Sequence, residues 1–142
     1  MPIYFFSVLF LVMILVSLYD LKYRKVPNWI SLPLMFIGFI FSFPGGPVLW
    51  IGSGLLFQAW MLGLIGGGDA KLWMGLLWCL FTFAGDRILL VMSISLMITG
   101  LAQLLVRAIA QKKIETGIKT PGAWRTLVFM GLLAYLNSAG WL

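Results

Sequence analysis

The sequence predicts an all-α polytopic membrane protein: six transmembrane helices, short loops and both termini outside. Hydrophobic residues make up 62% of the chain and charged residues only 10%, whereas about a quarter of the residues in a soluble globular domain are charged. Long runs of the sequence carry no charge, as helices that cross a bilayer do. The few cations gather in alternate connections, which is typical of a multipass protein with a defined orientation.

The first three helices come from two charge-free runs. Residues 1–19 form the first run, and because no basic residue precedes it, we expect it to remain in the mature protein rather than act as a cleaved signal peptide. The second run, residues 26–68, is too long for one helix, and the segment FPGGP at residues 43–47 is a strong turn signal. The predicted spans are residues 2–20, 29–43 and 48–66.

Three further runs give the remaining spans, which we predict at residues 69–84, 88–110 and 124–141. The charge-free part of the fourth span is only about 21 Å long as a helix, short of the roughly 30 Å hydrocarbon core. We therefore expect this helix to include Asp69, which places that acid below the headgroups. Residues 111–121 form a polar segment that we predict to be a solvated loop. No repeat or linker divides the chain, so we expect a single transmembrane domain over residues 1–142.

The cations set the predicted orientation. All of them except Arg87 follow the first, third or fifth span: Lys22, Arg24, Lys25, Lys71, Arg107, Lys112, Lys113, Lys119 and Arg125. By the positive-inside rule this side is cytoplasmic. Because topology accounts for the net charge of +6, we expect the lipid bilayer, and no nucleic acid, as a partner.

Several kinds of chemistry are excluded by composition. The chain has no His and a single Cys, Cys79. Triads that use His, Cys/His zinc sites and disulfide scaffolds therefore cannot form. We expect neither a metal nor a cofactor, and we expect Cys79 to be an inert buried thiol.

Two of the four acids are predicted to lie at the same membrane depth. Asp86 adjoins Arg87 in an outer turn and Glu115 lies in the polar segment, so both are predicted surface charges. Asp20 ends the first span and Asp69 opens the fourth, both at the inner side. Acids inside membrane helices are costly and commonly functional. Two such carboxyls, one protonated and one ionised, can work as general acid and base, and the helix ends favour Asp69 as the base.

Other roles for these acids stay open at this point. Asp69 could be an N-cap after a glycine turn, and Asp20 could be an interfacial residue paired with Lys22 or Arg24. A small channel or transporter that relays protons through its intramembrane acids is the alternative that is not an enzyme. The polar residues within the spans form no evident line for such a path.

Two segments, DLKYRKVPN at residues 20–28 and GGGDAKL at residues 66–72, resemble the signatures of the type IV prepilin peptidase family. The segment DLKYRKVPN at residues 20–28 resembles the first signature, an Asp followed by a basic stretch and a Pro-Asn pair. The segment GGGDAKL at residues 66–72 resembles the second, a GxGD motif with a following Lys. The GxGD core is also shared with archaeal preflagellin peptidases and presenilin-type proteases. The resemblance covers the whole chain but is loose in the last third, including residues 121–123.

The resemblance implies a membrane-embedded aspartic endopeptidase. It would remove the short basic leader of prepilin or pseudopilin precursors at the cytoplasmic face of the bacterial inner membrane. On this interpretation Asp20 and Asp69 are catalytic. The supporting residues are Gly66, Gly68, Lys71, Lys22, Pro27 and Asn28.

Each supporting residue has a physical role in this interpretation. Gly66 and Gly68 let the backbone or a substrate approach Asp69 closely. Asn28 is the predicted N-cap of the second helix. Lys22 and Lys71 could tune the acids or meet a substrate carboxylate, or could instead extend to the headgroups.

Longer members of the family carry a cytoplasmic insertion with paired CxxC motifs, associated with zinc and with methylation of the new N-terminus. One Cys and a short first inner connection instead resemble the peptidase-only form found with tight-adherence (Flp) pilus systems. Methyltransferase activity is therefore not expected. A GxGD protease of another substrate range, signal-peptide-peptidase-like or a preflagellin peptidase, is the alternative enzyme.

Overall fold

A computed structural model describes residues 3–23, 25–109 and 122–141. Its helices are α1 (Ile3–Tyr23), α2 (Asn28–Ser42), α3 (Pro47–Met61), α4 (Gly67–Ala84), α5 (Ile88–Ile109) and α6 (Trp124–Ser138), with a 3₁₀ turn at Gly85–Arg87. No strand occurs within these ranges, so the all-α prediction is confirmed. The predicted loop at 111–121, with Glu115, lies outside the described residues, as does Arg24. Asp86 and Arg87 are exposed, as predicted.

Two stretches are long and apolar enough to cross a membrane. They are Tyr4–Tyr23, which covers most of α1, and Gly67–Leu105, which covers α4 and most of α5. Helices α2 and α3 are apolar but have 15 residues each, about 22 Å of helix. All the helices occupy the predicted positions along the chain. Six bilayer crossings and external termini stay predictions.

Helix α3 ends earlier than the sequence predicts. The expected span reached residue 66, whereas the helix ends at Met61. Gly63 adopts a left-handed conformation with φ 71°, and the Leu64 N–H donates to the Ala59 carbonyl at 2.9 Å. This pairing closes a helix C-terminus, because glycine takes a positive φ without steric cost. The helix therefore ends here, and a turn connects it to residues 66–68.

Helix α4 lies at the centre of the structure. It packs against α2 and α3, and ring contacts join it to α1 through Phe6 and Phe83 and to α6 through Trp73 and Phe129. Most of its side chains are buried, including that of Cys79. Helix α6 in turn packs against α1 and α5. Asp69, in the first turn of α4, is therefore placed by a helix with neighbours on several sides.

Helices α2 and α4 run parallel and approach closely. A Cβ atom added to Gly38 would lie 2.8 Å from the backbone nitrogen of Cys79, so only glycine fits there. The Cys79 thiol donates to the Leu34 carbonyl at 3.4 Å, and the Ser42 hydroxyl donates to the Trp78 carbonyl at 2.6 Å. These contacts fix the relative register of the two helices. The N-terminal ends of both helices therefore lie at the same side of the molecule.

Candidate active site

Asp20 lies in the last turns of α1 and is 4% exposed. Its Oδ2 accepts hydrogen bonds from the backbone N–H groups of Gly122 at 2.8 Å and Ala123 at 3.0 Å. These two residues immediately precede α6, and Ala123 is its N-cap. Free N–H groups and the positive end of the helix dipole favour a carboxylate at such a position. The end of α1 is thereby joined to the start of α6.

Hydrogen bonds from both α1 and α6 fix the turn at residues 122–123. The carbonyl of Ala123 accepts a hydrogen bond from the Ser17 hydroxyl at 3.0 Å and another from the Thr126 hydroxyl at 2.6 Å. Ser17 and Thr126 are both buried. Since Ser17 lies one turn before Asp20 on α1, that helix binds both a carbonyl and the N–H groups of the turn. The orientation of the turn relative to Asp20 is therefore fixed.

The carboxyl group of Asp69 lies against the same turn. Asp69 is the third residue of α4 and is partly buried. A Cβ atom added to Gly122 would lie 2.8 Å from Asp69 Cγ and 3.0 Å from its Oδ1. The two acids, far apart in sequence, therefore converge on Gly122.

A pocket of about 460 Å³ lies where the acids converge. It is formed by the C-terminal end of α1, the α1–α2 connection, the α3–α4 turn and the turn before α6. Its lining residues are Asp20, Lys25, Val26, Asn28, Gly63, Leu64, Ile65, Gly66, Gly67, Gly68, Asp69 and Gly122. Both sequence signatures thus contribute to one cavity. Among the residues described, no three of His, Cys, Asp or Glu lie together as a possible metal site.

Comparison with known families decides the identity. Residues 7–104 match the sequence profile of the type IV leader peptidase family. The chain belongs to this family. The resemblance that the two signatures predicted is thereby confirmed, and the family implies a peptidase that processes prepilin-type precursors. The comparisons found no match among curated proteins and none among solved structures.

Both predicted acids of this leader peptidase lie within the matched residues, whereas α6 and the turn before it lie beyond them. Together with the family, the two apolar stretches indicate a membrane protein. The alternative in which Asp69 is an N-cap does not hold, because Gly66 occupies the N-cap position of α4. The side chain of Asp69 adjoins the pocket instead.

The glycines of the second signature bring the two signatures of the leader peptidase together. A Cβ atom at Gly68 would lie 3.0 Å from Val26 Cβ, which is tighter than ordinary contact. Gly68 therefore allows α4 to pack against the α1–α2 connection, which is part of the first signature. At Gly66 a Cβ atom would lie 3.4 Å from Asp69 Oδ2, an ordinary contact distance, so the space there is less restricted.

The remaining supporting residues divide into two groups. Asn28 lines the pocket and accepts a hydrogen bond from Lys71 Nζ at 3.4 Å. It is not the predicted cap of α2, because Pro27 occupies that position. Pro27 is buried and is not a lining residue. Lys22 is exposed, with its Nζ 5.2 Å from the centre of the Tyr23 ring, and it does not line the pocket either.

Lys25 and Gly122 are among the residues at the pocket of the leader peptidase that sequence reasoning did not predict as site residues. Lys25 lines the pocket and is exposed, and only its place in the basic stretch after Asp20 indicated it. Gly122 meets both acids through its backbone. Its one signal was a Pro-Gly pair immediately before the sixth apolar run, at the inner side predicted for both acids.

Proposed function

We propose that this leader peptidase is an aspartic endopeptidase in which Asp20 and Asp69 cleave the basic leader of prepilin or pseudopilin precursors. The observation that supports the proposal is the convergence of both carboxyls on Gly122 at the rim of one pocket. Each acid comes from one of the two signatures, and each lies at the end of a helix. Asp86, the remaining acid among the described residues, is exposed and does not line the pocket.

The proposed reaction is general acid–base hydrolysis. One carboxylate takes a proton from a water molecule, whose oxygen attacks the scissile carbonyl carbon. The protonated partner donates a hydrogen bond to the carbonyl oxygen as negative charge develops there. When the tetrahedral intermediate collapses, the C–N bond breaks and a proton passes from the dyad to the leaving amine. The dyad thus gains one proton from water and gives one to the amine, so it ends the cycle with the single proton that paired aspartates share.

We place the pocket at the cytoplasmic face of the bacterial inner membrane, in a chain of six transmembrane helices with external termini. Lys25 lines the pocket, and Lys22 and Lys71 lie on the same elements close to the two acids. By the positive-inside rule a cation-rich side is cytoplasmic. A leader that has not crossed the membrane would meet the acids there, where water is also available.

The form of the enzyme is the short, peptidase-only one that resembles the peptidases of Flp pilus systems. Helix α1 ends at Tyr23 and α2 begins at Asn28, so the connection between them has no room for a CxxC insertion. The only Cys, Cys79, is buried in α4 away from the pocket. We therefore propose leader cleavage without methylation of the new N-terminus.

The decisive experiment replaces each acid by its amide. We expect Asp20→Asn and Asp69→Asn each to reduce leader cleavage by at least about 100-fold, the usual contribution of a general acid or base. Cleavage of a prepilin is followed by the size shift of the substrate, in membranes that lack any other prepilin peptidase. Asp86→Asn, at an exposed acid in the turn after α4, is the matched control and should cleave normally.

Accumulation of each variant in the membrane is measured in the same samples, so that loss of protein is not mistaken for loss of chemistry. Normal cleavage by either Asp20→Asn or Asp69→Asn at wild-type abundance would refute the two-aspartate mechanism.

A further inference from the structure

The turn before α6 is the part of the site that family membership does not assign. Gly122 and Ala123 lie outside the matched residues 7–104, yet both donate N–H groups to Asp20 Oδ2. The turn is buried and is anchored through the Ala123 carbonyl to Ser17 on α1. A backbone segment that is fixed this firmly against a candidate catalytic carboxyl can determine how that carboxyl is presented.

The two N–H groups distinguish the oxygens of Asp20. A carboxylate oxygen accepts hydrogen bonds at its lone pairs, and the bonds at 2.8 and 3.0 Å occupy both positions on Oδ2. A proton cannot be added to Oδ2 unless one of these bonds breaks. Oδ1 is therefore the oxygen of Asp20 that remains free to exchange a proton with water.

Gly122 also limits the position of Asp69. Any side chain at residue 122 would begin 2.8 Å from Asp69 Cγ, well inside contact distance. Asp69 cannot easily move away from residue 122, because Gly68 at the start of α4 is packed against Val26. The absence of a side chain at residue 122 therefore sets how close the Asp69 carboxyl comes to the turn, and through the turn to Asp20.

We propose that Gly122 and Ala123 are positioning residues for leader cleavage. Their N–H groups bind Asp20 Oδ2 and so leave Oδ1 as the reactive oxygen. Because Gly122 has no side chain, its Cα atom sets the distance between the two acids. This inference rests on the proposed function, because it assumes that Asp20 and Asp69 perform the cleavage. On this inference the site consists of three chain segments, namely the two signatures and the turn at residues 122–123.

The kinetic test is Gly122→Ala. The added methyl group should displace the Asp69 carboxyl, and because a misplacement of about 1 Å can cost on the order of 100-fold in rate, we expect kcat to fall by one to two orders of magnitude. KM for the prepilin should change less than about twofold, since the rest of the pocket is untouched. The pH dependence of kcat should also change, because the spacing of the two acids governs their coupling.

Gly131→Ala is the matched control, since it makes the same change in α6 at a glycine with nothing within 4 Å. Wild-type kcat and an unchanged pH profile in a folded Gly122→Ala variant would overturn the inference. The proposed function would survive that result if Asp20→Asn and Asp69→Asn were inactive. Cleavage by those amide variants would instead refute the proposed function itself.

A second measurement does not depend on the folding of Gly122→Ala. In detergent-solubilised wild-type enzyme labelled with ¹⁵N-glycine and ¹⁵N-alanine, the amide protons of Gly122 and Ala123 should resonate downfield, as protons bonded to a carboxylate do. Both resonances should move over the pH range in which kcat changes, and Asp20→Asn should abolish that movement. Amide resonances that stay constant across this pH range would overturn the inference.

Discussion

On the proposed mechanism, the carboxyl group of Asp20 performs two tasks with its two oxygens. Oδ2 binds the start of α6 through Gly122 and Ala123, whereas Oδ1 is available for chemistry. A substitution at this residue can therefore impair catalysis, structure or both. The choice of the replacement side chain separates the two effects.

We predict that Asp20→Ala is less stable than Asp20→Asn, although both are inactive. The amide oxygen of Asn can accept the N–H groups of residues 122 and 123, whereas Ala leaves them buried without a partner. A buried unsatisfied donor costs about 1–3 kcal/mol, and the free energy of unfolding should differ by at least that amount. Thermal unfolding in detergent, measured on the two variants side by side, tests this. Equal midpoints would show that the bonds to the turn contribute nothing to stability.

At the residue scale the sequence predicted the acids better than their surroundings. Asp20 and Asp69 stood out because so few charges occur in the chain and each needs a reason to lie in an apolar helix. Gly122 could not be found in this way, since it acts through a backbone N–H group that every residue type but proline has. The predicted cap at Asn28 was wrong by one residue because helix start signals do not distinguish Pro27 from its neighbour.

At the scale of elements, the close parallel pair of α2 and α4 places Asn28 and Asp69 at one end of the molecule. Gly38 makes this approach possible, since its Cα faces the backbone of Cys79. The bonds from Cys79 to Leu34 and from Ser42 to Trp78 prevent the helices from sliding past each other. The position of Asp69 in the site therefore depends on contacts near the middle of its helix.

We predict that Gly38→Ala lowers both stability and cleavage. The new Cβ would lie 2.8 Å from Cys79 N and from Trp78 Cβ, and overpacking of this kind costs about 1–3 kcal/mol. Gly54→Ala in α3 is the control, because nothing lies within 4 Å of that glycine and alanine otherwise favours a helix. Unfolding midpoints and cleavage rates would be measured together. Equal behaviour of the two variants would contradict the close packing of α2 and α4.

The positions of the helices along the chain were predictable, but some of their ends were not. The turn at residues 43–47 separated α2 from α3 as predicted, whereas Gly67 and Gly68 lie inside α4, which begins two residues before the predicted start. The early end of α3 was missed because residues 62–65 include three apolar side chains and continue the run. The boundary is marked only by the left-handed conformation of Gly63. The sequence does not predict this conformation, because a single glycine within an apolar stretch can also continue a helix.

At the scale of the whole molecule, the sequence could not predict which helices pack against each other. A helix in lipid has apolar side chains on the face that meets lipid and on the face that meets protein, so hydrophobic periodicity does not indicate which side is buried. Helix α1 illustrates this, with Val8 and Leu15 exposed and Met13 and Val16 buried. The placement of α6 between α1 and α5, which completes the site, had no such signal.

We predict that the pocket is reached from the cytoplasm. A Lys25→Cys variant should react with a membrane-impermeant thiol reagent only when the reagent is added to inside-out vesicles. An Asp86→Cys variant should react only in intact cells or right-side-out preparations, because the turn after α4 is on the opposite side in the proposed topology. The native Cys79 is buried and gives the background in the parent chain. Reaction of both cysteines from one side would contradict the proposed arrangement.

The bond between Asp20 and the turn at residues 122–123 joins the first helix of the chain to the last. Both acids are synthesised before the turn at residues 122–123, so a nascent chain contains them while Asp20 still lacks the N–H groups that hold it. On the proposed mechanism, an incomplete chain would carry both catalytic residues in an unassembled state. Cleavage activity would thus arise only when α6 has packed against α1.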